Sequence, residues 1–173
     1  MRYKIITYIL FLLFALGLIG IASIVSAQAR PASTYTAYVV RIIDGDTIHV
    51  RDITGEPHRI RLAMIDAPEM EQHFGTEATK KLSELLRQGT VRLKVKCIDK
   101  YNREVAFVYC EGKDVSAEML KEGMALHYHM NFDKCEMYDK FEAAAKRCRQ
   151  GLWSQEKIEK PWDFRRKHRK ENE

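Results

Sequence analysis

Along parts of the chain apolar residues alternate with polar ones, and along others they return every third or fourth position. Tyr35–Ile43 and Thr47–Arg51 are rich in β-branched and aromatic residues and flank Asp44-Gly45-Asp46, a strong turn signal. A second turn, Thr54-Gly55-Glu56-Pro57, leads into His58–Ile65, where Ile60, Leu62 and Met64 alternate with Arg59, Arg61 and Ala63. Three strands in a meander are predicted. Ala78, Leu82, Leu85 and Leu86 then fall at helical spacing, and Gln88-Gly89 closes that helix. Val91–Ile98 and Val105–Cys110 read as two more strands across a turn at Asp99–Arg103. Asp114 is placed to cap a short helix carrying Val115, Met119 and Leu120 and ended by Gly123. Met137, Phe141, Ala144, Ala145 and Cys148 stripe a last helix that stops at Gly151.

Three strands, a helix, two strands and then helices is the order of an OB-fold. The expected class is therefore α+β: a five-stranded Greek-key β-barrel with about three α-helices, preceded by an N-terminal apolar helix. That fold commonly binds oligonucleotides or oligosaccharides, but fold alone does not establish function.

The apolar N-terminal helix comes from Ile5–Val25, 21 residues without a charge, preceded by Arg2 and Lys4. A hydrocarbon core of ~30 Å needs roughly 20 helical residues, so this run is long enough to span a bilayer. The basic flank favours a cytoplasmic N-terminus and an extracytoplasmic remainder. Ala27-Gln28-Ala29 supplies a cleavage-type site, so a secretory signal and a retained anchor both remain open. The expected organisation is 1–29 as signal peptide or anchor, 30–34 as linker, 35–156 as the folded domain and 157–173 as a basic tail. The net charge of +5 adds little, because residues 30–156 carry 20 basic and 20 acidic side chains. The excess sits at the two ends, so a high isoelectric point does not by itself indicate nucleic-acid binding. Four cysteines (Cys97, Cys110, Cys135, Cys148) suit an oxidising compartment. Their pairing stays open: neither Cys135 with Cys148 nor Cys97 with Cys110 is expected at disulfide range, and no C-x₂-C spacing suggests zinc.

Charged residues sit where a fold does not need them. Asp44 and Asp46 occupy the first hairpin tip, Arg61 lies inside the third strand, Asp66-Ala67-Pro68-Glu69 follows that strand, and Arg103 ends the turn before strand five. In a Greek-key barrel these places can share one rim. Carboxylates with backbone carbonyls suit a hard, oxygen-seeking cation, two arginines suit bidentate phosphate recognition, and a further carboxylate can orient or deprotonate water. Together they are the parts needed to attack a phosphodiester. Singly, each has a plainer role as turn former, solvated strand residue or surface pair.

Taken together, Ile43-Asp44-Gly45-Asp46-Thr47, then Ile60-Arg61-Leu62-Ala63-Met64-Ile65-Asp66-Ala67-Pro68-Glu69, then Asp99-Lys100-Tyr101-Asn102-Arg103 resemble the thermonuclease family, the staphylococcal-nuclease-like domains. The resemblance extends over roughly residues 36–154, and Pro161-Trp162-Asp163-Phe164-Arg165 looks like a tail that some bacterial members carry. It implies a Ca²⁺-dependent endonuclease of DNA and/or RNA. By motif match Asp46, Asp66 and the main-chain oxygen of Ala67 would bind the metal, and Glu69 would position or activate water. Arg61 and Arg103 would hold the scissile phosphate. Lys100 and Tyr101 would contact the nucleotide, with Tyr128 or His129 as the stacking ring. Ala67 stands where a Thr is frequent, and Asn102 where Gly is usual. Met70-Glu71-Gln72-His73-Phe74 is short and lacks the basic character of some members. The alternative is a non-catalytic nucleic-acid-binding OB-fold module, which the retention of all five charged residues disfavours. No protein partner is expected beyond the nucleic acid substrate, a membrane contact arises only through residues 5–25 if uncleaved, and a monomer is expected.

Two remaining clusters read more plainly. His127 and His129 have no third metal ligand arranged nearby and suit a strand edge or rim position. Arg165–Lys170 reads as a solvated terminus or a phosphate-binding tail, with Trp153 and Trp162 fastening it to the last helix.

Overall fold

The computed structural model describes residues 33–130 and 136–171. The expectations for Ile5–Val25, for Ala27-Gln28-Ala29 and for Cys135 lie outside those residues. The elements run β1 (Thr34–Ile42), β2 (Thr47–Asp52), β3 (Pro57–Leu62), β4 (Ile65–Asp66), α1 (Gly75–Leu85), β5 (Thr90–Ile98), β6 (Glu104–Cys110), β7 (Lys113–Asp114), α2 (Val115–Lys121), β8 (Leu126–His127), α3 (Glu136–Arg147), a 3₁₀ turn at Gly151–Ser154, and α4 (Pro161–Glu171). Among the described residues no helix is long and apolar enough to cross a membrane.

The strands order as β3-β2-β1-β5-β6-β7, and β3 also pairs in parallel with β6, closing a five-stranded OB-fold barrel. Period-two patterning drives this: in β5, Val91, Leu93 and Val95 point inward while Arg92 and Lys94 face solvent. Strand β6 is buried from Val105 to Val108 because α2 covers the face turned away from the barrel. Ile48, Ile60, Leu62, Leu93, Met119 and Leu120 are fully buried, each contributing ~1.5–3 kcal/mol relative to exposure. Asp114 caps α2 by accepting from Ala117 N at 3.1 Å, and its other oxygen accepts from Tyr138 Oη at 2.6 Å. One carboxylate thus starts one helix and holds α3 against it.

Two elements depart from the sequence reading. The third strand does not run on to Ile65. It stops at Leu62, Met64 turns the chain at φ 68°, and Ile65–Asp66 pairs instead with β8. The turn survives burial because its backbone is satisfied: Ala63 N donates to Ala106 O, Ser116 Oγ donates to Ala63 O, and Met64 O accepts from Tyr128 N. The basic C-terminal segment is not a frayed tail either. Pro161 at the first helical position, Asp163 in the first turn and the cations that follow make it helix α4. Cys97, Cys110 and Cys148 are free.

Candidate active site

Strand pairing explains how separated charges meet. β2 pairs with β3 so that Thr47 lies opposite Arg61, which sets Asp46 beside that arginine. The parallel seam sets Arg61 opposite Val105, two residues after Arg103. β4 pairs with β8, bringing Asp66 opposite Leu126 and Tyr128 just beyond. A cleft of about 800 Å³ opens there, lined by Asp44, Asp46, Arg61, Asp66, Glu69 and Arg103, with Lys100, Tyr101 and Tyr128 at its margins. The expected residues therefore converge on one rim. Gly45 permits this approach, since a Cβ there would lie 2.6 Å from the Cβ of Ala67 and 2.8 Å from that of Ala78.

The charges form an alternating chain. Asp46 and Asp66, 3% and 0% exposed, both bind Arg61, which is 9% exposed. Arg61 Nη1 pairs with Asp46 Oδ2, and Nη2 donates to Asp66 Oδ1 at 2.5 Å and to Ile65 O at 3.3 Å. Asp46 also accepts from Thr47 Oγ1 at 3.0 Å and from the backbone N–H of Ala67 at 2.9 Å. That last bond seats the Ala67 peptide against the carboxylates. Burial pulls the Arg61 guanidinium below its ordinary value, and Asp66 opposes this. Burial likewise raises Asp44, with Arg61 again opposing. Carboxylates this deep are tolerable only when paired or bound to metal.

Arg103 is held ready from outside this chain. Asp99 Oδ2 accepts from its Nε at 2.8 Å, and Thr47 Oγ1 accepts from its Nη1 at 3.2 Å. Partial burial would raise the Asp99 carboxyl, but hydrogen bonds from Arg103 and from the Tyr101 backbone outweigh it and hold Asp99 below its usual range. Asn102 takes the left-handed conformation at φ 59°, which Asn tolerates better than most side chains. Tyr101 is exposed, with Lys100 Nζ 5.0 Å and the Arg103 guanidinium 5.4 Å from its ring centre. Tyr128 lines the cleft, whereas His129 turns away to Asp139, its Nε2 3.4 Å from Oδ1.

Glu69 sits on a loop braced by Gln72, whose Oε1 accepts from Glu69 N at 2.9 Å. Gly75 lets α1 start directly under that loop, because a Cβ there would collide with the carbonyl oxygen of Glu69. The partner of Glu69 was not foreseen. Arg165 of α4 donates from Nη1 to Glu69 Oε1 at 2.6 Å and from Nη2 to Asp66 Oδ2 at 2.7 Å. Burial works against the Arg165 charge, but Asp66 and Glu69 hold it more firmly protonated than a free guanidinium. Trp162 packs on Tyr128 with ring centres 5.9 Å apart, not on Trp153, whose ring lies under Lys146. Pro161, Asp163 and the cations behind them are a helix signal that the reading of residues 157–173 as a basic tail passes over; nothing in the sequence named its partners. A third group does stand near the two histidines: Asp139 Oδ1 lies 2.8 Å from His127 Nδ1.

The donor set is hard. Asp46, Asp66 and Glu69 offer oxygen only, three carboxylates against the guanidinium groups of Arg61 and Arg165, and this fits a Ca²⁺- or Mg²⁺-type ion rather than a soft metal. The family model for staphylococcal nuclease homologues matches residues 59–155. A micrococcal nuclease of Shigella flexneri is 38% identical over 139 residues, covering 74% of this chain and 79% of the relative. A protein of Haemophilus influenzae named an uncharacterized endonuclease is 38% identical over 135 residues, 78% of this chain and 75% of its own. A probable staphylococcal-like nuclease of rice is 38% identical over 120 residues, 69% of this chain. The chain spans only 24% of that rice protein and 36% of a similar Arabidopsis thaliana one.

Proposed function

The chain belongs to the staphylococcal nuclease homologues, and from that footing we propose that it hydrolyses phosphodiester bonds of DNA or RNA with a bound Ca²⁺ ion, outside the cytoplasm. The observation that carries the reading is the alternating chain Asp46–Arg61–Asp66 with Glu69 and Arg103 on the same rim. Asp46, Asp66 and the main-chain oxygen of Ala67 would hold the ion. When bound, it supplies polarisation of the phosphate and a site for water.

Glu69, the most exposed of the three carboxylates, takes the proton from the attacking water. Arg61 and Arg103 approach the cleft from the two sides of the β3–β6 seam and stabilise the extra charge on the phosphorane. Tyr101 and Tyr128 offer faces for base or sugar, and Lys100 offers a terminal-phosphate contact. The uncharged Ile5–Val25 run behind Arg2 and Lys4 supports export, with the chain secreted or held by one helix.

The test is cleavage of labelled single-stranded DNA and RNA with Ca²⁺ and with chelator, beside Asp46→Asn. Ca²⁺-dependent cleavage lost in the variant supports the assignment. Tight binding without cleavage would replace it with the binding module. Protection of the folded domain from protease added to cells stripped of any outer membrane, with none of it released, would refute the location.

A further inference from the structure

Helix α4 reaches the site from 99 residues away and commits the carboxylates that a metal would use. Arg165 donates from Nη2 to Asp66 Oδ2 at 2.7 Å, and from Nη1 to Asp66 Oδ1 at 3.1 Å and to Glu69 Oε1 at 2.6 Å. Arg61 Nη2 already binds that same Oδ1 at 2.5 Å. Both oxygens of Asp66 therefore face guanidinium groups in a place water does not reach.

A hard cation takes carboxylate oxygens at ~2.0–2.6 Å, so it needs the edge of Asp66 that Arg165 covers. Two cations on that edge repel each other strongly where the effective dielectric is low. The charges lead the same way. Asp46, Asp66 and Glu69 against Arg61 alone leave two negative charges; Arg165 cancels one of them, and a divalent ion cancels both.

We propose that Arg165 is a tethered counter-cation, and that Arg165 and a divalent metal ion exclude one another on Asp66 and Glu69. The proposal rests on the reading of Asp46 and Asp66 as metal ligands. Metal binding then frees Arg165 toward the cleft, which Arg166 and Arg169 also line, and where a phosphate of the bound strand would receive it. The fold anchors the chain just ahead of the helix. Gln72 braces Glu69 N through Oε1 and donates from Nε2 to Glu159 O at 3.1 Å, just before α4 begins. Beyond Trp162, which lies on Tyr128, the helix presents exposed Arg166, Lys167 and Arg169.

A site closed nine-tenths of the time binds its ion about tenfold more weakly than the same site held open. The full chain carrying Trp153→Phe, so that Trp162 alone emits, is titrated with Ca²⁺ by calorimetry and by tryptophan fluorescence. Arg165→Gln and Arg165→Lys are measured beside it. Arg165 is 43% exposed in its side chain and Arg61 still pairs with Asp66 in both variants; a thermal melt of each checks that the fold is kept. The expected results are a Ca²⁺-dependent change in Trp162 emission, at least ~10-fold tighter Ca²⁺ binding by Arg165→Gln, and an intermediate affinity for Arg165→Lys, whose ammonium spans one carboxylate. Equal or weaker binding by Arg165→Gln would overturn the exclusion and leave the metal site standing. Emission that ignores Ca²⁺ while it binds would overturn the release of α4. No Ca²⁺ binding by any of the proteins would instead overturn the metal assignment, and the exchange with it.

Discussion

Removing Arg61 and neutralising Glu69 both abolish the proposed chemistry, yet they have opposite consequences for the fold. Arg61 is 9% exposed and is the shared partner of Asp46 and Asp66, themselves 3% and 0% exposed. Among the described residues, Arg61→Ala leaves two buried carboxylates with Arg165 bound to one of them and a hydroxyl and an amide to the other. Breaking a buried pair in this way costs ~3–5 kcal/mol, a large share of a total stability of ~5–15 kcal/mol. At roughly 4 °C per kcal/mol for a domain of this size, the midpoint of thermal unfolding falls by ~12–20 °C. Glu69 is 31% exposed in its side chain and its partner Arg165 is 43% exposed, so the pair is screened and worth ~0–1 kcal/mol. Glu69→Gln keeps the shape of the side chain and leaves the Gln72 brace on its backbone intact, and its midpoint stays within ~4 °C. Cleavage of labelled single-stranded DNA falls by ~10²-fold or more in both. Calorimetric melts beside the cleavage assay separate the two effects. Arg61→Ala melting within ~4 °C of the parent would refute the view that the buried ion chain holds the rim together. Glu69→Gln melting as low as Arg61→Ala would mean that its inactivity reports the fold and not the proton transfer.

Three further substitutions probe neighbouring links. Tyr138→Phe removes the bond to Asp114 Oδ2 but leaves the cap on α2, so urea unfolding should show a loss of ~1–2 kcal/mol with cleavage unchanged. Gly75→Ala forces the Glu69 loop away from the start of α1; kcat should fall at least ~10-fold, and an unchanged kcat would show that Glu69 tolerates displacement. Asp52 is held at about 2, below its ordinary 3.8, first by the Thr54 hydroxyl, which donates to Oδ1 at 2.7 Å. A depressed folded value means that this group stabilises above pH ~4, and that the contribution drains away as pH falls from 3.8 toward 2. Asp52→Asn should therefore melt below the parent at pH 7, with the gap closing by pH ~2; a constant gap would exclude the titration.

The barrel was legible because it is built from elements long enough to show a period. β5 alternates from Thr90 to Val95, and α1 returns Ala78 and Leu82 to one face. β4 and β8 are two residues each and have no period to read; they exist because a left-handed turn at Met64 lets Ile65–Asp66 find Leu126–His127. An alternating run through Met64 thus looked like one strand when it was two. The third block of charged residues was likewise readable as a turn with an Asn in the left-handed position, since that demand is local.

Pairing among charges is a different matter, because it depends on which strands meet and not on spacing. Arg61 reads as a polar strand residue until the β2–β3 register and the β3–β6 seam set it between Asp46 and Asp66. Arg165 is further removed, one of six consecutive basic residues of which Arg166, Lys167, His168 and Arg169 face solvent. What singles it out is helical phase: α4 starts at Pro161, Trp162 is pinned on Tyr128, and one turn later, at position i+3, Arg165 meets Asp66 and Glu69. Inserting a single residue between Trp162 and Arg165 would rotate the guanidinium ~100° around the helix and offer Phe164 to the carboxylates instead. With an uncharged insert the charge of the tail would be unchanged, so any difference in Ca²⁺ affinity between that insertion and the parent chain measures phase. Equal affinity would mean that the tail acts through its charge and not through the one arginine.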